Sequence, residues 1–408
     1  MPLYGLTPRF DHARCLRRAL LRRRRRFAAI SEAPGLDHAA IPREVSLQCK
    51  WLYAIPPYVT DPAPSALRIA IVRFSALGDV VMVAAAVRAL QRALPTAALT
   101  WITSPLASSL IGGMAGITFA VAEKPVTLTD YREFYRRFRS YRFDVVLAMQ
   151  ANLRINLLYP SLRAPVKIGF DLTRAREGQW LFCNRRIPFR DDHLVDSFLS
   201  FVEALTGTPA TAIWDLPLDQ GDLAWAHEQL QTLARPWVAI HPHASKAQRN
   251  WLPERHAQVL AQAVSRWNCG ILLTGGGSPA ERALCESLAQ RAPGHALNLC
   301  GKTTPRQLAA LLSLVDVLVA PDTGAVHIAT AKGTPVIGLY AVASPRLSGP
   351  YQRLDYCVDR YPQAVKAFLG KDPDRLPWNT RVHHPQAMSL IEVADVMRQL
   401  ERVLGGES

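Results

Sequence analysis

Asp322, Thr323, Gly324 and His327 follow the apolar run Val317-Leu318-Val319-Ala320 and a proline, Pro321. A short β-branched run of that kind reads as a buried strand. The Asp-Thr-Gly turn then opens a small-residue helix. Its first turn directs free N–H groups and a partial positive charge at whatever lies above the strand end. A helix start of this kind suits phosphate. Asp322 and His327 frame the same spot, so a phosphorylated ligand oriented by polar groups is the expected occupant.

Two further segments carry polar groups off strand ends. The strand expected over Leu67–Phe74 runs into Ser75-Ala76-Leu77-Gly78-Asp79-Val80. Asp79 falls in a first helical turn, where the dipole alone favours a carboxylate, and a carboxylate above a parallel strand is also placed to act as a general base. The G-x-G-x-x-G spacing is missing, which counts against a nicotinamide enzyme. The strand expected over Val238–His241 runs into a loop bearing Ser245, Lys246 and Arg249 before Trp251-Leu252-Pro253. A hydroxyl and two cations there suit a diphosphate, with solvated loop charge as the alternative. His241 and His243 form H-x-H without a carboxylate or cysteine partner, which is too little for a metal site. Gly301-Lys302-Thr303 has the end of a P-loop, but Ala296 stands where its first glycine belongs. Asp372-Pro373-Asp374 reads as surface, so neither metal nor cofactor is expected.

These segments need strands and helices to hold them, and the chain has the length for two domains, at 408 residues. Hydrophobic content of 49% with 20% charged residues excludes a disordered chain. The net charge of +15 points to an acidic partner. Seven scattered cysteines without a C-x-x-C pair fit reduced thiols. No apolar stretch reaches the roughly 18 residues of a membrane span, and no apolar segment of signal-peptide type follows Arg22–Arg26. A cytoplasmic location is expected. Residues 1–66 hold 11 Lys/Arg against 5 Asp/Glu; they read as a basic, disordered extension, with a lipid-binding helix at Cys15–Phe27 as the alternative. From Leu67 a first β-α series runs to residue 225 and a second from 236 to 387, joined near Pro217–Pro236. The fold class is α/β, with two doubly wound domains facing a cleft. Residues 388–408 read as an amphipathic C-terminal helix.

The segments Ser75–Val80, His241–Pro253 and Asp322–Ala329, in this order and separation, resemble those of the ADP-heptose:lipopolysaccharide heptosyltransferases, glycosyltransferase family 9. The resemblance covers Leu67 to the C-terminus. It implies the GT-B architecture, two Rossmann-like domains with acceptor on the first and nucleotide sugar on the second. It implies Asp79 as catalytic base, and Ser245, Lys246 and Arg249 on the diphosphate. Glu281 would meet the ribose, and Asp322, Thr323, Gly324 and His327 would line the sugar-nucleotide pocket. His243 stands where the family has glycine, Arg249 where lysine is common, and Ala341–Ser344 replaces a glycine-and-threonine turn. The expected reaction is an inverting transfer of heptose, or a related sugar, from ADP-heptose to a lipopolysaccharide core acceptor. An anionic inner-membrane surface is the partner under the alternative, lipid-binding reading of residues 1–66, and nucleic acid is not expected. The alternatives are a GT-B nucleotide-sugar epimerase, a transferase using another nucleotide sugar or a protein acceptor, and a non-catalytic binding protein of a membrane assembly.

Overall fold

The computed structural model describes residues 66–377 and 379–405. The expectations for Cys15–Phe27 and for the basic extension as a membrane tether lie outside the described residues. The strands are β1 (Arg68–Val72), β2 (Ala98–Thr103), β3 (Ile117–Val121), β4 (Val145–Leu147), β5 (Val166–Gly169) and β6 (Arg185–Arg186) in the first half. The second half holds β7 (Trp237–Ile240), β8 (Gly270–Leu273), β9 (Ala296–Asn298), β10 (Val317–Pro321), β11 (Val336–Tyr340) and β12 (Val358–Asp359). The helices of the first half are α1 (Leu77–Ala93), α2 (Pro105–Ile111), α3 (Leu128–Phe138), α4 (Leu153–Asn156) and α5 (Leu194–Thr206). Then follow α6 (Gln220–Leu230), α7 (Pro253–Trp267), α8 (Pro279–Ala289), α9 (Pro305–Leu314), α10 (Gly324–Lys332), α11 (Pro345–Ser348), α12 (Tyr361–Leu369) and α13 (Val393–Leu404).

The first sheet has the order β3-β2-β1-β4-β5-β6 and the second β12-β11-β10-β7-β8-β9. Counted from each half's own first strand, both are the doubly wound order 3-2-1-4-5-6. All ladder pairs between these strands are parallel, with Ile71 beside Trp101 and Leu147, and Val319 beside Ile240 and Ile337. Covered on both faces, β10 is buried at every residue and β1 from Ile69 onward, as parallel strands require. The order reverses beside β1 and β4 in one sheet and beside β7 and β10 in the other. Crevices open at those two points, above the carboxyl ends of the strands.

Side-chain caps start several helices. Thr127, Asp219, Ser278 and Thr304 each close a capping box at the head of α3, α6, α8 and α9. The Thr127–Asp130 box starts α3 at Leu128. The Pro217–Pro236 joint contains α6, which packs on α9. Met388 sits in the short 3-10 turn Ala387–Leu390, and α13 begins only at Val393. Val396, Met397 and Leu400 of α13 are buried in the core of the second half.

Helices α1 and α10, each leaving the central strand at its switch point, pack against each other and join the two halves. One apolar cluster runs through α1, α5, α9 and α10, so the halves share a core. His193, the N-cap of α5, reaches across to the Gly349 carbonyl (3.0 Å), and Tyr351 donates to Asp196 (2.6 Å). The tightest approach is at Gly78. A Cβ there would lie 2.6 Å from the His327 ring and 3.1 Å from Gly324 Cα. Gly78→Ala is therefore expected to push the halves apart and cost about 1–3 kcal/mol, the usual range for overpacking. Chemical denaturation of the two proteins checks this; equal stability would mean that the interface is soft at this point.

Candidate active site

Asp79 is the third residue of α1. Its carboxylate accepts from the Ala76 N–H (3.2 Å) and pairs with the Arg73 guanidinium. Arg73 is buried, donates to the Met149 carbonyl (2.7 Å) and lies over the Phe198 ring. Asp79 is thus held in one orientation at the rim of the first sheet, with its side chain 30% exposed.

Opposite it stands the start of α10. Thr323 makes no side-chain cap there, and the first turn holds no acidic residue, so its amides and positive dipole end face the crevice. His327, one turn further, is buried between Asp79 and Asp322. Burial holds its pKa below the ordinary value, against the pull of both carboxylates, and the Arg249 charge adds to the lowering. Asp322 accepts from the Ser348 hydroxyl (3.3 Å) and pairs with Arg249 (3.1 Å). Arg249 also donates to the Asp322 carbonyl (3.2 Å), so strand β10 aims this guanidinium.

The loop after β7 is fixed at its far end. Asn250 accepts from the Ala244 N–H (2.8 Å), and the buried Trp251 donates its indole N–H to the Ile391 carbonyl (3.1 Å). Between these anchors Ser245 and Lys246 stand exposed on the rim. Glu281 sits apart, above the end of β8, and accepts from the Gly276 (3.0 Å) and Ser278 (2.9 Å) amides. Burial raises its pKa, but the Ser278 side chain and those amides outweigh it and hold the carboxylate below its ordinary value. Asp79, Arg249, Asp322, Thr323, Gly324 and His327 therefore converge across the two halves. Ser245 and Lys246 flank them, and Glu281 lies one strand away with its oxygens engaged by its own turn.

Several groups at this place carry no motif. Arg73 is visible only as an arginine closing an apolar strand. Arg381 has no sequence signal at all. The Val382 N–H is pinned to the Val342 carbonyl (2.9 Å), beyond the end of β11, which brings Arg381 to the rim of the second sheet. Its Nη1 is buried without a hydrogen-bond partner. Burial lowers its pKa, Asp322 favours its charge, and Arg249 and Arg176 oppose it. On the first half a groove of about 350 Å³ runs from Phe74, Ser75 and Leu77 to Lys124, Val126 and Arg154. Burial and the charges of Arg154 and Arg73 lower the Lys124 pKa, and Glu123, which also lines the groove, opposes them. Away from the crevice, Asp372 accepts from the Asp374 N–H and pairs with Arg375, as a turn cap does. His241 pairs with the Thr274 hydroxyl (3.0 Å).

Residues 131–372 match the family described as Glycosyltransferase family 9 (heptosyltransferase). The chain is 35% identical over 343 residues to the lipopolysaccharide core heptosyltransferase OpsX of Haemophilus influenzae, covering 84% of this chain and 97% of that one. It is 25% identical to lipopolysaccharide heptosyltransferase 1 of Pseudomonas aeruginosa, over 83% and 98% of the two. Among solved structures, a family 9 glycosyltransferase of Veillonella parvula superimposes with a TM-score of 0.69 at 19% identity, covering 84% of this chain and 99% of that one. The E. coli heptosyltransferase WaaC with ADP does so with a TM-score of 0.62 at 21% identity, over 82% and 99%. Two doubly wound sheets meeting at their switch points are the GT-B architecture. The chain belongs to glycosyltransferase family 9, the heptosyltransferase family.

The shared core also sets a pH dependence. His193 donates Nε2–H to Gly349 and accepts the Val195 N–H at Nδ1 (3.1 Å), which fixes it neutral. Burial takes its pKa from 6.5 to about 4, and that of His241 likewise. Both bind a proton more readily unfolded than folded, so their stabilisation is complete above about 6.5 and is lost as pH falls towards 4. Acidification across that window should cost on the order of 3 kcal/mol per group, read as a falling urea midpoint. His193→Gln should flatten part of the slope; an unchanged slope would mean that His193 does not sense the window.

Proposed function

We propose that this glycosyltransferase moves heptose from ADP-heptose to a lipopolysaccharide core acceptor, with inversion at the anomeric carbon. The observation that carries this reading is the meeting of Asp79, from one half, with the Asp322–Arg249 pair and the α10 N-terminus of the other, across His327. Inversion needs one base on the face opposite the leaving group. The acceptor hydroxyl oxygen attacks the anomeric carbon, Asp79 takes the hydroxyl proton, and the bond from that carbon to the diphosphate breaks. ADP leaves with the electron pair. Arg249, Lys246 and the amides at Thr323–Gly324 meet its charge, and Ser245 adds a hydroxyl. Donors fixed before the charge develops need no reorganisation as it appears.

The remaining groups orient these. Asp322 steers Arg249, His327 and Gly324 wall the sugar pocket, and Glu281 offers carboxylate lone pairs to the ribose. Arg381 adds a second guanidinium beside Arg249. The residues are read as an acceptor domain, 67–225, a nucleotide-sugar domain, 236–387, and a closing C-terminal segment, 388–408. The Lys124–Arg154 groove next to Ser75 is where an anionic acceptor reaches Asp79. The named activities of the relatives, and WaaC with ADP among the similar structures, support the donor and acceptor classes. The membrane role read for residues 1–66 stays a proposal on residues outside those described.

Asp79→Asn should lower turnover by roughly 100-fold or more, as a lost general base does, with ADP affinity nearly unchanged. Near-normal turnover would leave Asp79 as a helix cap and no more. Calorimetry with ADP should show Arg249→Ala as the larger loss and Lys246→Ala as the smaller, because a guanidinium bridges two phosphate oxygens. Arg381→Ala should weaken ADP more than AMP. The direct test of the reaction is release of ADP from ADP-heptose only when a core acceptor is added. Release without acceptor, or equal transfer from an unrelated nucleotide sugar, would overturn the assignment.

A further inference from the structure

On the first half, exposed apolar and basic side chains share one face. Helix α3 leaves Leu128 54% exposed, and Val126, just before it, is 64% exposed. Leu106, which lines the acceptor groove together with Val126, is 62% exposed. Most surface leucines of a folded chain stand singly; a contiguous exposed set marks a contact surface. A groove of about 580 Å³ runs along this helix between Leu128, Tyr135 and Leu157, and Arg132, Arg136 and Arg139 line it as well. These three arginines recur at i, i+4 and i+7, one stripe of the helix. None of them has a carboxylate partner among the described residues. Tyr131 and Tyr135 tie α3 to the segment that follows β4 through the Arg154 (2.9 Å) and Leu157 (2.7 Å) carbonyls, so the helix is rigidly seated.

This groove and the acceptor groove adjoin. Val126 and Arg154 line the one, Leu128 and Leu157 the other, and the chain passes from one pair to the other within a few residues. The acceptor groove in turn ends at Phe74, Ser75 and Leu77, beside Asp79. A continuous path therefore leads from the α3 face to the base.

We infer that the α3 face, with Leu128 and the Arg132–Arg136–Arg139 stripe, is the surface by which this enzyme docks on an anionic lipid bilayer. The inference rests on the proposed acceptor being lipid-anchored. Arginine heads meet lipid phosphates while Leu128 enters the headgroup layer, the division of labour of an interfacial helix. Docked this way, the enzyme turns the mouth of the acceptor groove to the membrane. The charge of the face selects its occupant. An anionic surface complements three guanidiniums that have no carboxylate partner among the described residues.

The test is co-sedimentation of the full-length protein with phosphatidylcholine vesicles, with and without phosphatidylglycerol. R132Q/R136Q/R139Q is compared with wild type, with Leu128→Asn, and with a variant carrying glutamine at Arg22–Arg26. A basic residue near an anionic surface is worth roughly fivefold in binding, so the triple variant should bind phosphatidylglycerol vesicles about 100-fold more weakly. Leu128→Asn should weaken binding too, and the melting temperature of both should stay that of wild type. Unchanged vesicle binding by the triple variant overturns the inference. So does complete loss on neutralising Arg22–Arg26 alone, which would make the extension the only anchor. Sugar transfer to a water-soluble acceptor analogue is measured alongside and should persist in the triple variant. If wild type binds vesicles through this face but transfers no sugar, the docking stands and the proposed reaction falls.

Discussion

Gly78 and Gly324 allow the N-terminal ends of two helices from different halves to meet at van der Waals distance, with the His327 ring against the first of them. A side chain at Gly78 would press into the His327 ring, and one at Gly324 would sit tight against the Gly78 amide at 3.3 Å. Much of the architecture is arranged around that contact. It brings Asp79, at the third position of α1, to face the uncapped start of α10. The shared apolar cluster and the His193–Gly349 and Tyr351–Asp196 bonds surround it and hold it shut.

The electrostatics of the crevice follow from the same geometry. Two helix N-termini pointed at one space create a positive potential before any side chain is counted. Arg73, Arg249 and Arg381 add to it from three directions, and Asp79 and Asp322 take up only part. Asp79 is tied to Arg73, and Asp322 is tied to Arg249 and Ser348. The buried Nη1 of Arg381 is left without a partner. A cleft built this way suits an anion, and the proposed departing diphosphate is one. His327 sits neutral at the seam, because its burial outweighs the two carboxylates beside it.

Basic charge is spread well beyond the crevice. Lys124 and Arg154 continue it along the groove beside Ser75, partly offset by Glu123, and the α3 arginines extend it onto the outer face. The net charge of +15 is thus partly organised into a path. An excess of positive charge along a groove steers an acidic ligand inward and raises its local concentration.

The sequence by itself determined the strands and helices whose burial is complete. Val317–Ala320, the start of β7 and the helices Pro253–Trp267 and Pro305–Leu314 are legible because apolar runs and an N-terminal proline act within a few residues. It also located Asp79, Arg249, Asp322 and His327 by their spacing from strand ends. It did not reveal the edge strands β3, β6, β9 and β12 or the half-buried β5 inside the first sheet, since short strands of this kind are completed by a neighbour already in place. Nor did it reveal α6 within the joint, whose weak amphipathic pattern is stabilised by packing on α9. Only the tertiary structure decided which charges face one another: Arg73 with Asp79, Arg381 beside Asp322, and His193 across the seam. The last two join residues far apart in the chain, and Arg73 meets Asp79 only because the strand-to-helix turn folds one back on the other; their strength comes from burial and distance, which no local run of residues encodes.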